Sequence, residues 1–273
     1  MSVTRGPWGG GPARPVPPKP QPPRRPGFQK PATPTQQFLI NLVSSLLLAG
    51  YLWWAMGPFV AMGGILGVFV HEYGHVLAMN ALGCGPARIV IIPFFGGAAI
   101  PARPPSSEFR DVIISLAGPV FGLLAAIPFF AAYYFTGFGP WLGGAFFVAF
   151  INLLNLVPAP PLDGSKALGP ALARIHPKFE RGVLIAVAAV AVLWLISRGS
   201  WITATFLGIG VLGVLRRGAL RPYALRLSGR EFVYAIALYV AAAALCLGAM
   251  GATLYALGEP VSPLSVFHLL RFG

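Results

Sequence analysis

The sequence predicts an all-α polytopic membrane protein with about seven transmembrane helices (six or seven) and a small β element after the second. Three observations carry that prediction. Of 273 residues, 56% are hydrophobic and only 10% are charged, whereas a soluble domain carries about 25% charged residues. Mean hydropathy is +0.73. The apolar residues also gather into runs of about 20, the length that crosses a bilayer core as helix.

In chain order, residues 1–37 come first, with eleven prolines, six Lys or Arg and no acidic residue. Such a segment buries no core, so a disordered, partly polyproline cytoplasmic tail is expected. Apolar spans follow at about 38–57, 58–82, 111–136, 140–158, 181–197, 200–215 and 232–257. The first begins near Phe38, too late and too long for the h-region of a cleaved signal peptide, so it is expected to remain as an anchor. No internal repeat is evident.

Basic residues concentrate in alternate connections: the tail, then Arg88, Arg103 and Arg110, then Lys166, Arg174, Lys178 and Arg181, then a cluster from Arg216 to Arg230. By the positive-inside rule the tail is cytoplasmic and the C-terminus lies outside. The same placement accounts for the net charge of +13: it meets anionic lipid headgroups, and no nucleic-acid partner is expected. Cys84 and Cys246 fit neither a zinc knuckle nor a disulfide framework and are read as unpaired thiols.

The second span contains His71-Glu72-Tyr73-Gly74-His75, the H-E-x-x-H pattern. On a helix, residues four apart share a face, so His71 and His75 can grip one metal ion. Glu72 falls beside them, placed to take a proton from water. Ionisable groups in a lipid-spanning helix are costly and mark function by default. Gly63 and Gly67 continue the same stripe at four-residue steps, so a neighbouring helix is expected to lie close against the metal face.

Two imidazoles leave zinc short of the three protein ligands of a catalytic site. Asp163, in NLVPAPPLDG, is the best remaining oxygen donor; His176 and His268 are the alternatives. Depth tests the choice. His75 lies about 12 Å inside the cytoplasmic end of its span, whereas straight helix from Trp141 carries Asp163 about 33 Å, to the face itself. The conflict resolves if Pro158, Pro160 and Pro161 break the fourth span and a fresh helix starts near Asp163. Irregular backbone at that depth must line a watered cavity, which hydrolysis needs in any case.

These motifs resemble those of the site-2 protease family of intramembrane zinc metalloproteases, in a short form without a PDZ or CBS module. HEYGH matches the family's metal helix. Asn155, Pro158, Pro160 and Leu162-Asp163-Gly164 match its N-x-x-P-x-P-x-L-D-G segment, and Ala117-Gly118-Pro119 its A-G-P element. Ser165 stands where the family often has a second glycine. The resemblance implies one Zn2+ on His71, His75 and Asp163, with Glu72 as general base. It further implies that Asn155 orients the substrate or stabilises an oxyanion, with Gly118 and Pro119 serving close packing.

The resemblance puts the catalytic core at 38–175 and additional helices at 176–273. Residues 88–100 read as two short stretches about a Gly96-Gly97 turn, where related proteases carry a membrane-dipping β element. Its edge is a candidate for holding unwound substrate as an added strand. The expected activity is hydrolysis of peptide bonds in transmembrane proteins, with a regulatory membrane protein as a further partner. A transporter or channel with an intramembrane metal site is the alternative, and an inactive relative a third reading. The transporter gives no reason for the H-E-x-x-H spacing together with a distant aspartate, and the complete set of ligands and base argues against the inactive relative.

Overall fold

A computed structural model describes residues 33–92, 96–216 and 225–258. Helix α1 (Pro34–Met56) begins four residues before the apolar run, because Thr33 and Gln36 form a reciprocal capping box ahead of Pro34. Most of the expected tail lies outside the described residues. Gly57 turns the chain at φ +89°, a value open to glycine, and Pro58 starts α2 (Pro58–Ala81).

Strands β1 (Arg88–Ile92) and β2 (Gly96–Ile100) pair antiparallel, Ile92 facing Gly96 and Ile91 facing Gly97. Gly96 and Gly97 therefore belong to the second strand, not to the turn the sequence suggested. The register draws both glycines into the ladder, and Gly97 occupies a place where a side chain has no room (below).

Helix α3 (Glu108–Gly122) is capped by Ser107 and runs through a 3₁₀ turn at Leu123–Ala126 into α4 (Ile127–Thr136). Pro128 lacks the N–H that would bond the Leu124 carbonyl, which explains the switch in ladder. Helix α5 (Pro140–Asn155) stops at Asn155, and α6 (Asp163–Ile175) begins at Asp163. Tight turns join them, Leu162 N–H donating to Ala159 O at 2.8 Å. The fourth apolar run is thus broken at its prolines. Helices α7 (Pro177–Ser197), α8 (Trp201–Arg216) and α9 (Gly229–Ala256) complete the described chain.

Among the described residues five stretches are long and apolar enough to cross a membrane: Thr35–Met56, Pro58–Ala81, Glu108–Thr136, Pro177–Ser197 and Gly229–Ala256. The chain is a multi-pass membrane protein. The fourth and sixth of the seven expected spans form helices of only 16 residues, α5 and α8, about 24 Å against a hydrocarbon core of about 30 Å.

The core is built around α2 and α5. At Gly63 a methyl group would lie 2.5 Å from Gly144 O of α5, and at Gly74 one would lie 2.6 Å from Ala117 O of α3. Small residues at these crossings bring three backbones together. Val112 and Leu116 of α3, Ala167 and Ala171 of α6, and Ala235 and Ala242 of α9 form one apolar cluster. Tyr239 of α9 donates its hydroxyl to Leu156 O, tying α9 to the break between α5 and α6.

Candidate metal centre

His71 and His75 stand one turn apart on α2, 4% and 5% exposed. Their Nε2 atoms are 3.1 Å apart. Asp163, the first residue of α6, places Oδ2 at 3.0 Å from His71 Nε2 and 3.1 Å from His75 Nε2. The break after α5 makes this geometry reachable. Gly164 lies against the carbonyls of Leu156 and Val157, where a side chain would collide, so the chain folds back tightly enough to deliver the carboxylate. Ser165 closes the same turn, its hydroxyl donating to Leu162 O at 2.7 Å.

The outward ring nitrogens are both engaged. His75 Nδ1 meets Ile114 O at 2.7 Å, and a carbonyl only accepts, so Nδ1 carries the proton. His71 Nδ1 meets Asn152 Oδ1 at 2.8 Å. Asn152 spends its Nδ2 on Val148 O at 2.7 Å, so its oxygen faces His71 as an acceptor. With each ring neutral, the single proton sits on Nδ1 and the Nε2 lone pairs turn inward, toward a carboxylate oxygen. In that state three acceptors about 3 Å apart repel one another, and a cation placed among them removes the repulsion.

The donor set fits zinc in number and type, and a tetrahedral site with bonds of about 2.0–2.1 Å has edges of about 3.3 Å. The observed edges of 3.0 and 3.1 Å are close to that. Zinc is therefore the cofactor these residues suit.

Glycines surround the centre because nothing larger fits. A methyl group at Gly118 would lie 2.5 Å from His75 Cε1 and 2.8 Å from His71 Nε2. Helix α3 passes flat against the imidazoles, so Gly118 acts through close approach. One at Gly97 would lie 2.8 Å from both Cδ and Oε1 of Glu72, so β2 lies directly on the Glu72 carboxylate. Glu72 is 4% exposed. Its Oε2 has no hydrogen-bond partner among the described residues. A buried, unsatisfied carboxylate oxygen needs an explanation, and a water or substrate N–H supplies one.

Asn155 sits half-buried at the end of α5 and donates Nδ2 to Ile151 O at 3.0 Å, back along its own helix. Among the described residues no hydrogen bond joins it to the triad or to Glu72, whereas Asn152, one turn earlier, touches His71. The only mark Asn152 leaves in the sequence is a carboxamide inside an apolar run, on nearly the same helix face as Asn155. His176 caps α7, accepting from Lys178 N at 3.1 Å, apart from the centre. His268 lies outside the described residues. Cys84 and Cys246 are both free and buried.

Residues 59–140 match the model of peptidase family M50. Over 182 residues, 63% of this chain, the sequence is 27% identical to a protein of Synechocystis sp. (strain ATCC 27184 / PCC 6803 / Kazusa) named "Putative zinc metalloprotease". The match spans 45% of that protein's length. No solved structure matches at a significant level. The segment matched by the family encloses HEYGH and Ala117-Gly118-Pro119, and the Asp163 loop follows it. By these matches residues 59–140 are similar to peptidase family M50, and a longer stretch of the chain is similar to a protein named as a zinc metalloprotease.

Proposed function

We propose that this chain is an intramembrane zinc metalloprotease that hydrolyses peptide bonds of membrane-embedded protein substrates. One observation carries the reading: two imidazole nitrogens and a carboxylate oxygen converge within 4.8 Å, beside a buried glutamate with an unpartnered oxygen. His71, His75 and Asp163 would hold the ion. Bound there, zinc would supply Lewis acidity to polarise a carbonyl and make water nucleophilic near neutral pH. Glu72 accepts the proton of the attacking water and returns it to the leaving amine. Asn155 orients the substrate or stabilises the developing oxyanion, a role supported by its place at the end of α5, one break away from Asp163.

The substrate is a transmembrane segment that must unwind locally to offer its amides. The β1–β2 hairpin supports capture of such a segment as an added strand. Asn41 of α1 already occupies the β1 edge, donating to Ile89 O and accepting from Ile91 N, each at 3.0 Å. Gly97 of β2 lies on Glu72, which favours the β2 side. We place the N-terminus in the cytoplasm and the centre inside the bilayer toward that side, on the strength of the basic connections. Residues 38–175 form the catalytic core in this reading, the later helices support it, and a regulatory membrane protein controls access.

The test is co-expression of wild type or Glu72→Gln with a single-span reporter substrate. Glu72→Gln should retain zinc and lose cleavage by at least about 10²-fold, the scale of general-base catalysis. Unchanged cleavage by Glu72→Gln would remove the protease assignment; zinc flux across vesicles would replace it with transport.

A further inference from the structure

The Asn152 carboxamide joins three observations. It is completely buried, 0% exposed, in the middle of an apolar helix. Both its polar ends are used, Nδ2 on Val148 O and Oδ1 on His71 Nδ1. Its space is cleared by Gly122 of α3, where a methyl group would lie 2.7 Å from Asn152 Nδ2. Leucine is nearly isosteric and would suit an apolar helix better, so a generic packing role does not account for a fully oriented amide.

We propose that Asn152 is a positioning residue for the metal centre: by accepting from His71 Nδ1–H it selects the tautomer that presents Nε2 to the ion, and so raises metal affinity. The logic is electrostatic. Neutral imidazole carries one ring proton, and a lone pair is needed at Nε2. An acceptor at Nδ1 keeps the proton on the far side of the ring, fixes the ring plane and makes Nε2 a better donor. Ile114 O does the same for His75 with backbone. His71 has only a side chain for this, which makes its half of the grip open to mutation. Asn152 touches neither water nor substrate in this scheme, so it is not itself catalytic. The inference rests on the metal-site reading above.

The experiment measures zinc affinity of the purified full chain in detergent by competition with a chromogenic chelator, without reference to cleavage. Asn152→Leu should bind zinc about 10–100-fold more weakly than wild type, the effect of losing an outer partner of a ligating histidine. Asn152→Asp, which keeps an acceptor oxygen facing Nδ1, should recover most of that affinity. Affinity of Asn152→Leu within twofold of wild type overturns the proposal, as does an Asp variant as weak as the Leu variant. Should Asn152→Leu fail to fold, Gly122→Ala leaves Asn152 in place and displaces only its amide; weakened zinc binding supports the role and unchanged binding refutes it. His71→Ala separates the two failures. Equal zinc binding by wild type and His71→Ala sinks the metal site itself, and Asn152 with it.

Discussion

Replacing Gly118 by alanine adds one methyl group to α3 where it faces the two metal imidazoles. That methyl would stand 2.5 Å from His75 Cε1 and 2.8 Å from His71 Nε2, whereas carbon atoms rest at about 3.5–4.0 Å. The His75 ring must therefore retreat by about 1 Å, or α3 must move away by as much. Metal–ligand distances tolerate about 0.2 Å, and a misplacement of about 1 Å near the chemistry costs roughly 10²-fold in rate.

The fold itself should suffer far less. Overpacking costs about 1–3 kcal/mol, offset by the roughly 0.5–1 kcal/mol that alanine gains over glycine within a helix. Purified Gly118→Ala should therefore unfold near the wild-type temperature without metal, bind zinc at least about tenfold more weakly, and cleave a single-span reporter about 10²-fold more slowly. Gly248→Ala on α9, with nothing within 4 Å of its added methyl, is the control and should match wild type in all three. Wild-type zinc affinity and cleavage in Gly118→Ala would mean that α3 does not press on the imidazoles, and the packing argument for the centre would fall.

Gly97→Ala places its methyl 2.8 Å from Glu72 Cδ and Oε1, so cleavage should drop about 10-fold or more while chelator competition reports unchanged zinc affinity. A parallel loss of zinc would show that β2 supports the ligands instead. Asn41→Leu strips the Ile89 carbonyl and Ile91 N–H of their partner; about 1–3 kcal/mol of local stability should be lost, read as faster amide hydrogen exchange across 88–92. Free zinc at about 100 times its dissociation constant should stabilise the wild-type fold by about 2.7 kcal/mol in thermal unfolding. Asp163→Ala should show almost none of that shift, and a full shift would remove Asp163 from the ligand set.

Much of the architecture was legible because it is local. Apolar runs of bilayer length announce helices whatever packs against them, and the prolines between Val157 and Leu162 forbid a continuous ladder, which is why α5 ends and α6 starts where the depth argument required. The count of spans was less legible. Hydropathy registers the run 140–158 as one span, but the prolines shorten the helix to 16 residues. The hairpin glycines misled for a related reason. A Gly-Gly pair is a turn signal by propensity, yet Gly97 is there because Glu72 leaves no room for a side chain, a constraint that comes from another element.

What the sequence by itself determined is the metal helix: residues four apart on one helix face share a direction through covalent geometry alone, so HEYGH pairs its imidazoles before any tertiary contact forms. Which asparagine serves that pair was decided only by the packed structure. Asn152 and Asn155 lie on nearly the same face of α5, one turn apart in height, and sequence motifs favour the second. The height at which α5 crosses α2 is set by glycine contacts such as Gly63 on Gly144, and it brings Asn152, 81 residues away in sequence, to His71. Local patterns specify faces; only the packing of one helix on another specifies which residues on those faces meet.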